Sequence, residues 1–385
     1  MNDFTLRRPG RALAALVAVL ALLAAGCGGS GSTGGGSDSG SGSSGSSGGD
    51  SEKTLRFAYF AGERTSFGQL WTWWMDEVEA RTDGRIRFER FWDASLLKGP
   101  EMADGLRDGR VDVAQIVPPM YPGKFPLTSV TELPFVSENV PAGAQAIAQI
   151  LAENRDFQAE WQKQGLVPLA WNIASPGALG TKDPIRSAAD LDGKKLRGID
   201  RSSKVLGAAG ANLVNLDVNE IYGGMERGLI NGFFGIPFAF VGPLKFPEVA
   251  KNYTDVGMGI TTANAIAMSE QGWESLAPEV QRIMREVSAE VPAKLAEYDG
   301  IAEDASCEAI RAEGATLSKL PEAESEKLRA AGEEQVREEW LDEVSGSVDG
   351  PAVYDEWVET TRTAEGDFPD YRIGIERCMS GGGGA

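Results

Sequence analysis

The chain has no histidine among its 385 residues. That absence removes the commonest general base and the commonest metal ligand. It excludes Ser-His-Asp and Cys-His catalysis and the usual histidine-containing catalytic zinc sites. Long apolar runs are scarce too. The run at residues 12–25 spans 14 residues, short of the roughly 20 that a membrane-spanning helix needs. Positive charge is in deficit, with 37 Lys and Arg against 57 Asp and Glu and a net charge of −20. Such an acidic chain is repelled by nucleic acid and by anionic lipid, and the acidity reads as solubility rather than a cationic partner. Cysteine is rare, at three residues.

What is present begins with a processing pattern. Arg7, Arg8 and Arg11 precede the apolar run, the layout of a secretory leader. Ala24-Ala25-Gly26-Cys27 then resembles a bacterial lipobox, with Ala24 where Leu is usual. Residues 1–27 are therefore expected to be a lipoprotein signal ending in an acylated Cys27. Residues 1–26 carry a net +2, which leaves the remainder near −22. Residues 28–51 are almost wholly Gly and Ser, a composition that stays a flexible coil with an r.m.s. span of roughly 25–30 Å. Two acyl chains on Cys27 suffice for stable anchoring. The expectation is an extracytoplasmic domain tethered to the membrane surface. Export also permits disulfides. Cys307 and Cys378 either pair or remain as partly buried thiols, since spacing in sequence does not settle proximity.

The remaining length, about 334 residues, suits two lobes better than one core. Residues 55–60 read as a strand. Ser66 as N-cap with Gln69 three residues on fits a capping box. Phe67, Leu70, Trp71, Trp74 and Val78 recur at helical spacing, so the Trp71, Trp73, Trp74 cluster reads as core packing more than ligand stacking. The helix should stop near Gly84. A strand at 85–91 follows, then a helix between Pro100 and Gly109, then a strand at 111–117. This alternation predicts a largely parallel sheet with right-handed crossovers. A helix at 142–154 and a strand at 167–172 lead toward the second lobe. Leu106-Arg107-Asp108-Gly109-Arg110-Val111-Asp112 is echoed by Met225-Glu226-Arg227-Gly228-Leu229-Ile230-Asn231, each a helix stopped by Gly that enters a strand at once. Beyond residue 263 the pattern turns helical, with a break at Pro292 and further helices at 322–344 and 351–364. The tail at 379–385 is Gly-rich and expected to be disordered.

In open parallel sheets, ligands bind beyond the carboxyl ends of strands. This singles out the loops after residues 60, 117, 172, 197 and 233. Arg197 closes one such strand, and its planar fork of N–H donors suits a carboxylate. The plainer reading is a surface Arg in the cluster Lys194-Lys195-Leu196-Arg197. Asp112, Glu132 and Glu220 offer acid groups but no recognisable catalytic motif, which argues against an exported enzyme.

The run Asp190-Leu191-Asp192-Gly193-Lys194-Lys195-Leu196-Arg197 resembles the signature of the DctP-type solute-binding proteins of TRAP transporters. Thr131-Glu132-Leu133-Pro134-Phe135, Asn219-Glu220-Ile221-Tyr222 and the segment 244–251 add to the likeness, which covers most of residues 54–320. The resemblance implies an α/β, two-lobed periplasmic-binding-protein-like (type II) fold with hinge strands and a long connecting helix. It implies lobe I at 52–174, with 264–303 returning to it. Lobe II spans 175–263, with the C-terminal helices of 304–378 packing on it. It further implies that the lobes close on an organic anion gripped by Arg197, and that the loaded protein docks on a permease of small and large membrane subunits.

The chain also departs from the family pattern. Asn231-Gly232-Phe233-Phe234-Gly235-Ile236-Pro237 replaces a shorter Asp-Gly-Gln-Glu-Asn-Pro stretch. A second Arg of some sialic-acid-type members falls near Gly177. Phe60 stands where an Asn often lies, and Val117 where an acid can lie. With Tyr121, Val218 and Phe234 the expected wall is apolar, so the expected ligand is a monocarboxylate with an apolar or aromatic body. Loss of the polar stretch removes oxygen donors, so neither metal nor cofactor is expected. A monomer is the default. Two alternatives remain: a binding protein of the same fold that reports to a sensor kinase, and, nearest in function, an ABC-type binding protein, which would lack the 190–251 pattern.

Overall fold

The computed structural model describes residues 52–381. The expected leader, Cys27, the 28–51 tether and the last four residues lie outside the described residues. The first lobe starts with β1 (Lys53–Ala58), β2 (Ile86–Phe91), β3 (Val113–Ile116) and β4 (Leu166–Ile173). The chain then crosses to a second sheet through β5 (Leu179–Thr181), β6 (Lys195–Arg197), β7 (Asn212–Val214), β8 (Gly232–Phe233) and β9 (Asn252–Asp255). It returns as β10 (Ala263–Ser269) and ends its strands with β11 (Thr316–Lys319).

The first sheet has the order β2-β1-β3-β10-β4, and the second β11-β9-β5-β8-β6-β7. In the first, β2, β1 and β3 are parallel, as the strand–helix alternation predicts. The returning β10 inserts antiparallel between β3 and β4, so the sheet is mixed. All four residues of β3 are buried, as expected of a strand covered on both faces. The links β4–β5 and β9–β10 pass between the sheets and form the paired hinge. The helix Val291–Ala312 runs beside both lobes, packing on the helix Ser66–Arg81 of lobe I and on the Phe238–Phe240 turn of lobe II.

Local chemistry explains the boundaries. Thr65, not Ser66, caps the first long helix, its hydroxyl accepting from the Gly68 N–H at 3.1 Å. Ser66 is buried as the first helical residue. Trp71 and Trp74 are fully buried, as the packing reading of the cluster requires, whereas Trp73 is half-buried. The helix Pro278–Ala289 stops at Glu290, and Val291–Ala312 begins with Pro292 in its first turn. There the missing N–H has no intrahelical partner to lose.

The internal echo is a true geometric repeat. Gly109 and Gly228 both adopt left-handed backbone, at φ 67° and 71°. The amides of Arg110 and Val111 converge on the Gly105 carbonyl, and those of Leu229 and Ile230 converge on the Gly224 carbonyl. Asp112 Oδ2 then accepts from the Arg56 N–H at 2.8 Å, and Asn231 Oδ1 accepts from the Lys195 N–H at 2.8 Å. Each lobe thus starts a central strand with the same side-chain latch on its neighbour.

The C-terminal region divides between the lobes, which corrects the expectation that 304–378 packs on lobe II. The helix Glu322–Val344 lies on the Ser203–Ala208 helix of lobe II, where a Cβ at Gly332 would stand 2.8 Å from the Val205 Cα. The helix Gly350–Glu365 instead covers Val140–Glu153 of lobe I, burying Val353 and Trp357. Asn154 Nδ2 donates to Glu356 Oε2 at 2.6 Å across that seam. The last helix, Gly374–Met379, is joined to Val291–Ala312 by a Cys307–Cys378 disulfide, with Cα atoms 5.7 Å apart. The ordered chain therefore extends past Cys378, where a disordered tail was expected to begin.

Candidate functional site

Arg197 ends β6, between β7 and β8. Its side chain is 4% exposed. Nε donates to the Leu216 carbonyl at 3.1 Å, and Nη1 to the carbonyls of Phe234 and Gly235 at 3.3 and 3.4 Å. Among the described residues no carboxylate forms an ion pair with it. Burial pushes its pKa down, and the carboxylates of Asp200 and Asp217 pull it back up. A guanidinium stays charged under such a shift. The result is a buried cation held by neutral backbone dipoles, with N–H capacity to spare.

The neighbours of Arg197 play roles that differ from expectation. Phe234 is 1% exposed, so it serves the site through its carbonyl and not through a free ring face. Its N–H also donates to the Arg197 carbonyl at 2.8 Å. Gly177, in the hinge, passes so close that a Cβ there would lie 2.6 Å from the Ile236 carbonyl oxygen. A large side chain at 177 has no room, whatever its charge. Val218 is half-buried and opens the short turn Val218–Glu220, two residues beyond the Leu216 carbonyl that receives Arg197.

On lobe I, Phe60 follows β1 and Val117 follows β3, both half-buried. Phe60 meets Tyr59 edge-on at 4.9 Å. Tyr121 turns its hydroxyl inward, donating to the Gly99 carbonyl at 2.6 Å and accepting from the Ala103 N–H at 3.3 Å. Burial raises that phenol to about 12.

A cleft of about 270 Å³ lies between the lobes. Lobe I supplies Pro118, Tyr121, Phe125 and Glu132, and lobe II supplies Asp200 and Arg201. Of the seven side chains expected to meet the ligand, only Tyr121 lines this cleft. Arg197, whose Nη1 reaches the Gly235 carbonyl, stands outside the lining, as do Phe60, Val117, Gly177, Val218 and Phe234.

Sequence reasoning missed the interlobe bridge. Arg201 N–H donates to Glu132 Oε2 at 3.2 Å, its Nε donates to Ser129 Oγ at 3.1 Å, and its Nη2 pairs with Glu343. Burial raises Glu132 to about 8, opposed by Arg201. The only sequence signal for the bridge is that Arg201 follows Arg197 by one turn in a strand-end loop. Among the described residues, no group of three or more His, Cys, Asp or Glu gathers as metal ligands would. None of the described helices is long and apolar enough to cross a membrane.

Comparison with known proteins places the architecture. A family model described as bacterial extracellular solute-binding protein, family 7 (DctP), matches residues 57–342. A solute-binding protein of Roseobacter denitrificans is 25% identical over 240 residues, covering 62% of this chain and 73% of its own. A TRAP solute-binding protein from Rhodoferax ferrireducens, solved with copurified benzoate, is 26% identical with a TM-score of 0.75, covering 82% of this chain and 99% of its own. A marine metagenome TRAP solute-binding protein described as specific for aromatic acid ligands, solved with 3-hydroxybenzoate, gives the same identity, TM-score and coverage.

Proposed function

Because the chain belongs to the family 7 bacterial extracellular solute-binding proteins, we propose that it captures an organic acid between its lobes and delivers it to a TRAP permease. Arg197 is the carboxylate anchor in this reading. The observation that carries it is the buried guanidinium held only by backbone carbonyls. A buried charge without a counter-ion costs stability, and a ligand carboxylate offsets that cost in the closed, loaded state. The ligand is a monocarboxylate with an apolar or aromatic body. Phe60, Val117, Tyr121 and Val218 are the wall residues, reached as the lobes rearrange about Gly177. Phe234 contributes through its carbonyl. Two relatives at 26% identity that hold benzoate and 3-hydroxybenzoate support this ligand class. No turnover, metal or cofactor enters the reading. The N-terminal Cys27 and tether hold the domain at the outer face of the membrane as a monomer.

The test is a thermal-shift screen of the domain at residues 52–381 against carboxylic acids, with Arg197→Ala in parallel. A cognate acid at 100 times its Kd stabilises by about 2.7 kcal/mol. That shift is expected in the wild type and lost in the variant. A shift that survives Arg197→Ala moves the anchor elsewhere. A cognate polyhydroxylated acid overturns the apolar ligand class.

A further inference from the structure

Asp200 is 4% exposed and lines the interlobe cleft. Its Oδ1 accepts from the Ser203 N–H at 2.9 Å, ahead of the helix Ser203–Ala208. Among the described residues, Oδ2 has no hydrogen-bond partner and the carboxylate has no ion pair. The two nearby cations are already engaged. Arg201 holds Ser129 and Glu343, and Lys204 holds Glu339. Oδ2 would stand 2.6 Å from a Cβ on Gly235, and the Gly235 carbonyl receives Arg197 Nη1 at 3.4 Å. Two buried opposite charges therefore converge on one glycine without pairing with each other.

Helix capping alone does not explain this carboxylate. A cap needs one oxygen acceptor, and Ser or Asn supplies it as well as Asp does. The negative charge and the second oxygen are surplus to the cap, and Asp200 lines the cleft, where that oxygen can accept from whatever binds there. A molecule that meets Arg197 with a carboxylate and Asp200 with a donor satisfies both groups together.

We propose that Asp200 is a specificity residue: it accepts a hydrogen bond from a hydroxyl or amine N–H on the bound monocarboxylate, and it repels acids that carry a second carboxylate. This rests on Arg197 being the anchor and narrows the ligand class to hydroxy- or amino-substituted monocarboxylic acids.

Calorimetric titration of the domain at residues 52–381 with matched acids tests it. The set pairs benzoate with meta-hydroxybenzoate, meta-aminobenzoate and isophthalate, phenylacetate with mandelate, and propionate with lactate and alanine. The hydroxyl and amine arms show which donor is read. In the wild type, the donor-bearing acid of at least one series binds at least about tenfold tighter than its parent, as expected of a hydrogen bond to a charged group. Isophthalate binds more weakly than benzoate. Asp200→Asn keeps the cap and one acceptor but loses the charge, so the donor preference shrinks and isophthalate gains. Asp200→Ser keeps the cap and withdraws the reach, so the preference disappears. Arg197→Ala abolishes binding of every member. Equal affinities within all matched pairs, or a preference unchanged in both Asp200 variants, overturn the Asp200 assignment while leaving the anchor intact. Binding that survives Arg197→Ala, or no binding by any acid, overturns the anchor and this assignment with it.

Discussion

Gly177 shows how tightly the link between the two sheets is packed. The hinge there runs against the backbone of the loop that carries Phe234 and Gly235, with 2.6 Å between a notional Cβ and the Ile236 oxygen. Gly177→Ala should cost about 1–3 kcal/mol, the usual penalty for forcing extra volume into packed backbone. Chemical denaturation with and without ligand checks this, and an unchanged stability would mean that the hinge relaxes freely. Tyr121 is constrained in another way. Its hydroxyl is spent on Gly99 and Ala103, so Tyr121→Phe should lower stability by about 0.5–1.5 kcal/mol and leave ligand affinity nearly unchanged. Arg197 was legible because the Lys-Leu-Arg run ends a strand within a recognisable segment. The burial of Phe234 was not, because two adjacent Phe at a strand end do not say which of them faces the cleft.

At the level of elements, the repeated Gly-stopped helix matters most. Asp112 and Asn231 occupy the same place in the two lobes and latch equivalent strand amides. Asp112→Ala should cost about 1–3 kcal/mol by leaving the part-buried Arg56 N–H without a partner, and Asn231→Ala about 0.5–1.5 kcal/mol, since the Lys195 N–H is exposed. The two effects should add, since the sites lie in different sheets. A strongly non-additive double mutant in urea unfolding would contradict this picture. The Cys307–Cys378 disulfide spans 71 residues and fastens the last helix to the one that runs beside both lobes. In the loop-entropy view, a closure of that length stabilises by about 4 kcal/mol. Changing both cysteines to Ser should lower Tm markedly, as calorimetry would show. Helix 322–344 was readable because it is rich in Ala, Glu and Arg, which favour helix, and helix 351–364 because Pro351 marks its first turn. The β5 and β11 strands were not, being three and four residues long and stabilised by their neighbours more than by their own composition.

For the molecule as a whole, buried acid is the dominant electrostatic feature. Burial raises Glu132 to about 8, and Glu138 and Glu160 to about 7. Asp299 and Glu303, one helical turn apart on Val291–Ala312, are both pushed up by burial, and Glu303 is raised further by Asp299. Ser66, Tyr59, Tyr371 and Arg377 face this pair. These folded-state values lie above the unfolded ones, so the native state binds protons that the unfolded chain has already released. Stability therefore falls as pH rises from about 4.3 to about 8. Carboxylates with lowered values, such as Glu279 and Glu290, work in the opposite sense, but they are exposed and screened. Tm should be higher near about pH 5.5 than near about pH 8.5, and Asp299→Asn with Glu303→Gln should flatten that slope. A Tm that rises across this range would contradict the assignment.

The sequence alone determined the exclusion of histidine chemistry, the α/β class, the break at Pro292, the repeated Gly stops and Arg197 as the candidate anchor. All but the last follow from composition or from a local pattern that a short segment expresses by itself, whereas Arg197 as anchor follows from the resemblance of the 190–197 run to the DctP-type signature. Only the tertiary structure decided that Gly350–Glu365 crosses back to lobe I, that Arg201 bridges the lobes to Glu132 and Ser129, and that Asp200 and Arg197 converge on Gly235 without pairing. These depend on distances between residues far apart in sequence. The free energy of a buried charge depends on what surrounds it in space, and no local pattern records that.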